Sequence, residues 1–192
     1  MYKRVLSQLT VVFSIVFLLS CNKERNKMIQ KEKKEVVTQE SDGTYFKFDT
    51  VEHFYLNIAE HDVYELDKAN REKKSQEKEM LLEVIGGHTP TILPDESYGR
   101  MLEKMHFSKT IMDPSKHKAI REVFRVTRCA NGFAAACEPI YRDIFIFKNK
   151  GKITGFAKIC FDCRLFHIVG TDKDQSDFGQ CGGYEKLQRL IE

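Results

Sequence analysis

The chain has 192 residues, with 31 Lys+Arg against 28 Asp+Glu for a formal net charge of +3, 42% hydrophobic and 31% charged residues, and six cysteines. The length fits one domain of ordinary size. The composition excludes a disordered chain and a membrane-filling one, and six cysteines are too few for a disulfide-dense miniprotein.

The N-terminus reads as an address. Lys3 and Arg4 form a positive start, and residues 11–19 are apolar apart from Ser14. Such a run has signal-peptide length and is too short to span a bilayer as a helix. It ends Leu18-Leu19-Ser20-Cys21. Charge, apolar run, small residue and Cys in this order resemble the signal peptide and lipobox of bacterial lipoproteins. The resemblance covers the first 21 residues. It implies cleavage after Ser20, so that residues 1–20 are removed, and acylation of Cys21 on sulfur and on its new amino group. Two or three acyl chains anchor a protein stably where one does not. Asn22 rather than Asp follows the cysteine, which by analogy with Gram-negative lipoproteins points to the outer membrane.

Residues 21–43 are expected to be the lipidated Cys and a flexible basic tether. Positions 22–35 hold six basic and three acidic groups, and only Met28 and Ile29 are apolar. So little apolar surface cannot offset the entropy of ordering. The segment could also touch anionic headgroups. Residues 36–192 carry 23 basic and 25 acidic groups. The apparent positive excess therefore belongs to the leader and the tether, and nothing suggests a nucleic-acid partner.

One domain is expected over residues 44–192. Aromatic and β-branched residues predict short strands at 45–48, 54–58 and 63–66. Residues 70–85 predict a helix stopped by Gly86-Gly87. Asp95 reads as the cap of a further helix, with Tyr98, Met101, Leu102 and Met105 at helical spacing. Asp113-Pro114 reads as another cap and first turn. From about Ala119 a strand pattern is expected, with Phe124 and Val126 on one face. Residues 141–147 and 153–159 flank Lys148-Asn149-Lys150-Gly151-Lys152 and predict a hairpin with Gly151 at positive φ. Residues 165–169 predict a further strand. Gly182-Gly183 precedes a last helix with Tyr184, Leu187 and Leu190 inward. Strands and helices do not alternate strictly, so the fold class is α+β: an antiparallel sheet, several helices and a C-terminal hairpin with a C-x2-C unit.

Apart from Cys21, the cysteines are Cys129, Cys137, Cys160, Cys163 and Cys181. An odd number in an exported protein means a free thiol, an intermolecular bond or a metal. Three readings stay open. Structural disulfides or buried thiols are the preferred one; a Cys129–Cys137 bond could close the intervening loop, and Cys181 could approach the C-x2-C pair. Metal is the second: Cys160, Cys163 and His167 make C-x2-C-x3-H, with Cys137, Cys181 or Asp143 to complete a tetrahedral Zn²⁺ site. Thiol redox chemistry is the third. A thioredoxin-like unit is disfavoured, because Pro139 is the last proline and too little chain follows Cys163.

Cys137-Glu138-Pro139, Tyr141-Arg142-Asp143, the hairpin and Ile159-Cys160-Phe161-Asp162-Cys163 are together similar to the C-terminal part of a family of uncharacterised bacterial proteins. That resemblance spans about 50 residues. It implies a unit built around Cys137, Cys160 and Cys163, with no assigned activity. Hydrolase, zincin, P-loop and dinucleotide motifs are absent from the sequence. Glu52-His53 and Glu60-His61 are adjacent acid–His pairs, and strand neighbours point to opposite faces. Asp172, Asp174 and Asp177 lack the terminal Glu of a Ca²⁺ loop and read as solvated turn residues. The expectation is a membrane-anchored envelope lipoprotein that binds or scaffolds rather than catalyses, with no catalytic residue assigned. The alternative is a thiol- or zinc-dependent envelope protein that uses Cys160 and Cys163.

Overall fold

The computed structural model describes residues 43–130, 132 and 136–192. The signal peptide, Cys21 and the tether up to residue 42 lie outside the described residues. Five strands form one antiparallel sheet in the order β2-β1-β3-β4-β5. They are β1 (Thr50–Tyr55), β2 (Ser108–Ile111), β3 (Asp143–Asn149), β4 (Lys152–Cys160) and β5 (Leu165–Val169). The helices are α1 (Glu60–Glu72), α2 (Gln76–Gly86), α3 (Tyr98–Lys104), α4 (His117–Val123) and α5 (Gly183–Ile191). The fold is α+β with an antiparallel sheet, as the pattern of elements indicated.

The hairpin between β3 and β4 forms where the turn residues place it. Asn149 pairs with Lys152, leaving the two-residue loop Lys150-Gly151, and both loop residues have positive φ. That mirror-image turn matches the twist of the flanking strands. β3 is buried on both faces, with Ile144, Phe145, Ile146 and Phe147 fully shielded. A strand covered twice reads as a continuous apolar run, and this one does.

Strand alternation sorts the side chains into two cores. On one face Val51, Phe145, Phe147, Ala157, Ile159 and Ile168 pack with Phe46, Phe124, Phe178, Tyr184 and Leu187. On the other, Phe54, Ile144, Ile146 and Phe156 pack with Val84 and Ile85 of α2 and with Leu102 and Met105 at α3. Each fully buried Phe contributes about 1.5–3 kcal/mol by its removal from water. Gly155 lets Phe46 lie flat on the sheet: a Cβ there would sit 2.3 Å from the Phe46 ring.

Several expected elements are different. Residues 63–66 belong to helix α1, not a strand. Val63, Leu66, Asp67 and Asn70 lie on its inner side at spacing i, i+3, i+4, i+7. Four residues were too few to separate that period from alternation. The helix expected over 70–85 is broken at 73–75, because the buried Asn70 side chain accepts the Ser75 N–H at 3.0 Å and turns the chain. Tyr45, Phe46 and Phe48 are buried and Lys47 is exposed, but residues 45–48 are not a strand. The chain there is tied to 124–126 by Tyr45 N–H to Phe124 O and Val126 N–H to Gly43 O. The strand expected from Ala119 is also absent: 117–123 are helical, and Thr44–Arg125 is an isolated bridge. Asp113 caps as expected, accepting the Ser115 N–H at 2.8 Å ahead of Pro114. Asp95 accepts from Ser97 N–H and Oγ, one turn before α3 proper. β2 gave no signal, being four exposed residues at a sheet edge. Among the described residues no helix is long and apolar enough to cross a membrane.

Candidate functional site

Three of the cysteines, Cys137, Cys160 and Cys163, meet at the end of the sheet where β4 turns into β5. Cys160 is the last residue of β4 and pairs with Leu165, the first of β5. Phe161 O accepts the Arg164 N–H at 3.3 Å and closes the turn between them. Cys163 sits in that turn and is bonded to Cys137, 26 residues earlier. Cys129 is bonded to Cys181 across 52 residues. Closing loops of these lengths removes about 3–4 kcal/mol of unfolded-chain entropy each, in the chain-entropy model. Cys160 is free and buried, packed with Tyr141, Cys163 and Leu165. Burial, and the Cys160 sulfur beside it, push the Tyr141 phenol above its ordinary value.

These pairings differ from a bond between Cys129 and Cys137. The two ends of that loop are instead tied to two separate places, the turn before α5 and the β4–β5 turn. Nor do Cys160, Cys163 and His167 form a ligand set. Cys163 is spent in a disulfide, and His167 Nε2 lies 2.7 Å from Pro90 O, which only an N–H can satisfy. No group of three metal-ligating side chains converges among the described residues. Asp143 lies on the opposite sheet face from Cys160 and His167.

Next to the cysteines stands a buried lysine. Lys158 is two residues before Cys160 on the same sheet face and is fully shielded. Its Nζ donates to Val84 O at 2.9 Å and Gly87 O at 2.6 Å, the carbonyls at the end of α2. The ammonium also sits 4.8 Å from the centre of the Tyr141 ring. A cation at a helix C-terminus meets the negative end of the helix dipole and unpaired carbonyls. Burial lowers the Lys158 pKa to about 8, against a small opposing pull from Glu83. His167 pairs with Lys158 across the strands, and its ring meets His88 edge to face at 5.8 Å. Burial pushes His167 below its ordinary value; the Pro90 carbonyl opposes this, and the Lys158 and His88 charges add to it.

The acid–His pairs separate as alternation requires. Glu52 faces the α2–α3 side, where Lys109 and Lys148 each approach its carboxylate at 2.8 Å. Burial alone would raise the Glu52 pKa, but the two lysine hydrogen bonds outweigh it and the carboxyl is held low. His53 faces the aromatic side and bonds Asp143 Oδ1 through Nε2 at 2.8 Å, both side chains nearly shielded. Its ring stacks on Phe145 at 4.7 Å. This pair spans 90 residues, and only the cross-strand register brings it together. Glu60 and His61 are exposed in the first turn of α1.

The aspartates after β5 do more than face solvent. Asp177 Oδ2 accepts the Cys129 N–H at 3.1 Å, and Asp177 O accepts the Thr127 hydroxyl at 3.0 Å. Asp174 pairs with Arg128 at 2.6 Å. Together they hold residues 127–129 beside the Cys129–Cys181 bond. No protein-family model, no curated protein and no solved structure matches the chain.

Proposed function

We propose that the chain is a bacterial envelope lipoprotein, cut before Cys21, anchored by acyl chains on that residue and held off the membrane by a basic tether. The observation that carries this reading is Leu18-Leu19-Ser20-Cys21 at the end of a short apolar run with Lys3 and Arg4 ahead of it. Two disulfides in the domain fit an oxidising compartment and are rare in a reducing one. The outer membrane is the proposed location, on the strength of Asn22. The domain acts there as a binding or structural module: the buried Lys158 and Asn70 bond to backbone and His53 bonds to Asp143, which suits a scaffold.

The mature N-terminus tests the reading. Mass spectrometry of the protein extracted from membranes should show residue 21 as the first, carrying two or three acyl chains. Cys21→Ala should leave the leader uncut and remove the acyl mass from the N-terminal peptide. An intact Met1 or an unmodified Cys21 in the wild type overturns the proposal.

A further inference from the structure

Three cysteines meet at one end of the sheet, and their exposures differ. Cys160 is 2% exposed, Cys163 is buried, and Cys137 lies at the surface. The apolar cluster that holds Cys160 also holds Cys163. A buried thiol therefore stands beside a disulfide whose outer sulfur belongs to a surface residue. The second disulfide has no such neighbour: among the described residues Cys160 is the free cysteine, and it packs with Cys163 rather than with Cys129 or Cys181.

A disulfide exchanges when a thiolate attacks one of its sulfurs and the other leaves. We infer that Cys160, Cys163 and Cys137 form a thiol-exchange site that takes a disulfide as its substrate. In the first step a local opening of the β4–β5 turn admits water to the Cys160 thiol, which gives up its proton to it, and the Cys160 sulfur attacks Cys163 Sγ. The Cys160–Cys163 bond forms, the Cys137–Cys163 bond breaks, and the electron pair leaves on Cys137 Sγ. Nothing is oxidised or reduced overall in this step. In the second step the Cys137 thiolate attacks an incoming disulfide RS–SR. The mixed disulfide Cys137–S–SR forms, and one RS⁻ leaves and takes up a proton. The incoming disulfide is the oxidant, and the one protein thiol is consumed.

The geometry favours this order. Cys160 and Cys163 flank one tight turn, held by the Cys160–Leu165 strand pair and the Phe161–Arg164 hydrogen bond. Cys160 is shielded from a solvent-borne disulfide, whereas Cys137 is open to one. The exchange carries a thiol from the interior to the surface.

Glutathione disulfide serves as the probe, added at pH 8 to the full chain in detergent. The protein is then quenched with acid, digested without reduction and mapped by mass spectrometry, so that Cys21 is read on its own peptide. Glutathione should appear on Cys137 together with a Cys160–Cys163 crosslink, and Cys129–Cys181 should stay intact. Cys160→Ala, its fold checked by circular dichroism, should abolish the glutathione on Cys137. Glutathione on Cys160 with Cys137–Cys163 intact overturns the site, because the buried thiol then reacts directly. Label spread over Cys129 and Cys181 as well also overturns it, since that is scrambling through unfolding. No glutathione at any domain cysteine overturns it too.

Discussion

The two faces of the sheet are closed by different means. On one, aromatic rings lock into each other: Phe46 lies 4.6 Å and Phe124 4.7 Å from Phe147, and Phe124 and Phe166 both meet Phe178 within 5.1 Å. One buried polar group of this face, His53, is satisfied by another side chain, Asp143. On the other face aliphatic residues dominate; of its buried charges, Lys158 is satisfied by helix carbonyls and Glu52 is met by Lys109 and Lys148. The first arrangement resists loss of volume. The second ties one helix end to one strand, and so depends on charge and direction. A close-packed aromatic face tolerates no cavity, whereas a hydrogen-bonded anchor fails when its donor is lost.

Removing a ring from the aromatic face should have the largest effect. Phe147→Ala is expected to lower unfolding stability by about 3–5 kcal/mol, read from urea denaturation. A loss below that of a surface substitution would mean the rings are not interlocked. On the other face Lys158→Met keeps the length and apolar stem but leaves Val84 O and Gly87 O without their donor. It should cost about 1–3 kcal/mol and raise hydrogen-exchange rates at the end of α2 before those of β3. Uniform acceleration across the sheet would deny the local tie.

Acidity separates the faces next. The Lys158 pKa is near 8 in the fold against 10.5 for an unhindered lysine. Between those values the unfolded chain binds more protons than the folded one. Stability from this group therefore rises with pH above 8 and is least below it, where the fold must carry the buried charge. Comparing urea midpoints at pH 8 and pH 10, the wild type should gain relative to Lys158→Met, whose slope lacks this contribution. Equal slopes would place the proton elsewhere. Tyr45 and Tyr98, with pKa values raised by burial to about 12, act in the opposite sense above pH 10, so the comparison stops there. The smallest effect belongs to neither core. Arg71 and Asp67 form an exposed pair on α1, and Arg71→Ala should leave the urea midpoint unchanged within error.

Much of the β3–β4–β5 half was legible before the fold was known. Lys150-Gly151 named its own turn, residues 165–169 read directly as a strand, and Tyr184 with Leu187 marked the inner side of α5. The α1–β2 half was not. Val63 to Leu66 fit two periods, and Ser108–Ile111 presents every side chain to solvent and so carries no alternation. In the site, the cysteines were visible as a group, but spacing favoured near neighbours. The actual partners are 52 and 26 residues apart. Lys158 had no mark of burial in its sequence surroundings, and Asp143 none of its partnership with His53.

By itself the sequence determined the class of fold, the hairpin and the collection of cysteines in the C-terminal third. These rest on local causes: the period of apolar residues, and the backbone freedom of turn residues. Only the tertiary structure decided which sulfur meets which, which acid meets His53, and that a lysine ends a helix from inside the sheet. Those choices depend on strand register and on which face each helix covers, and both are set by contacts between residues far apart in the chain.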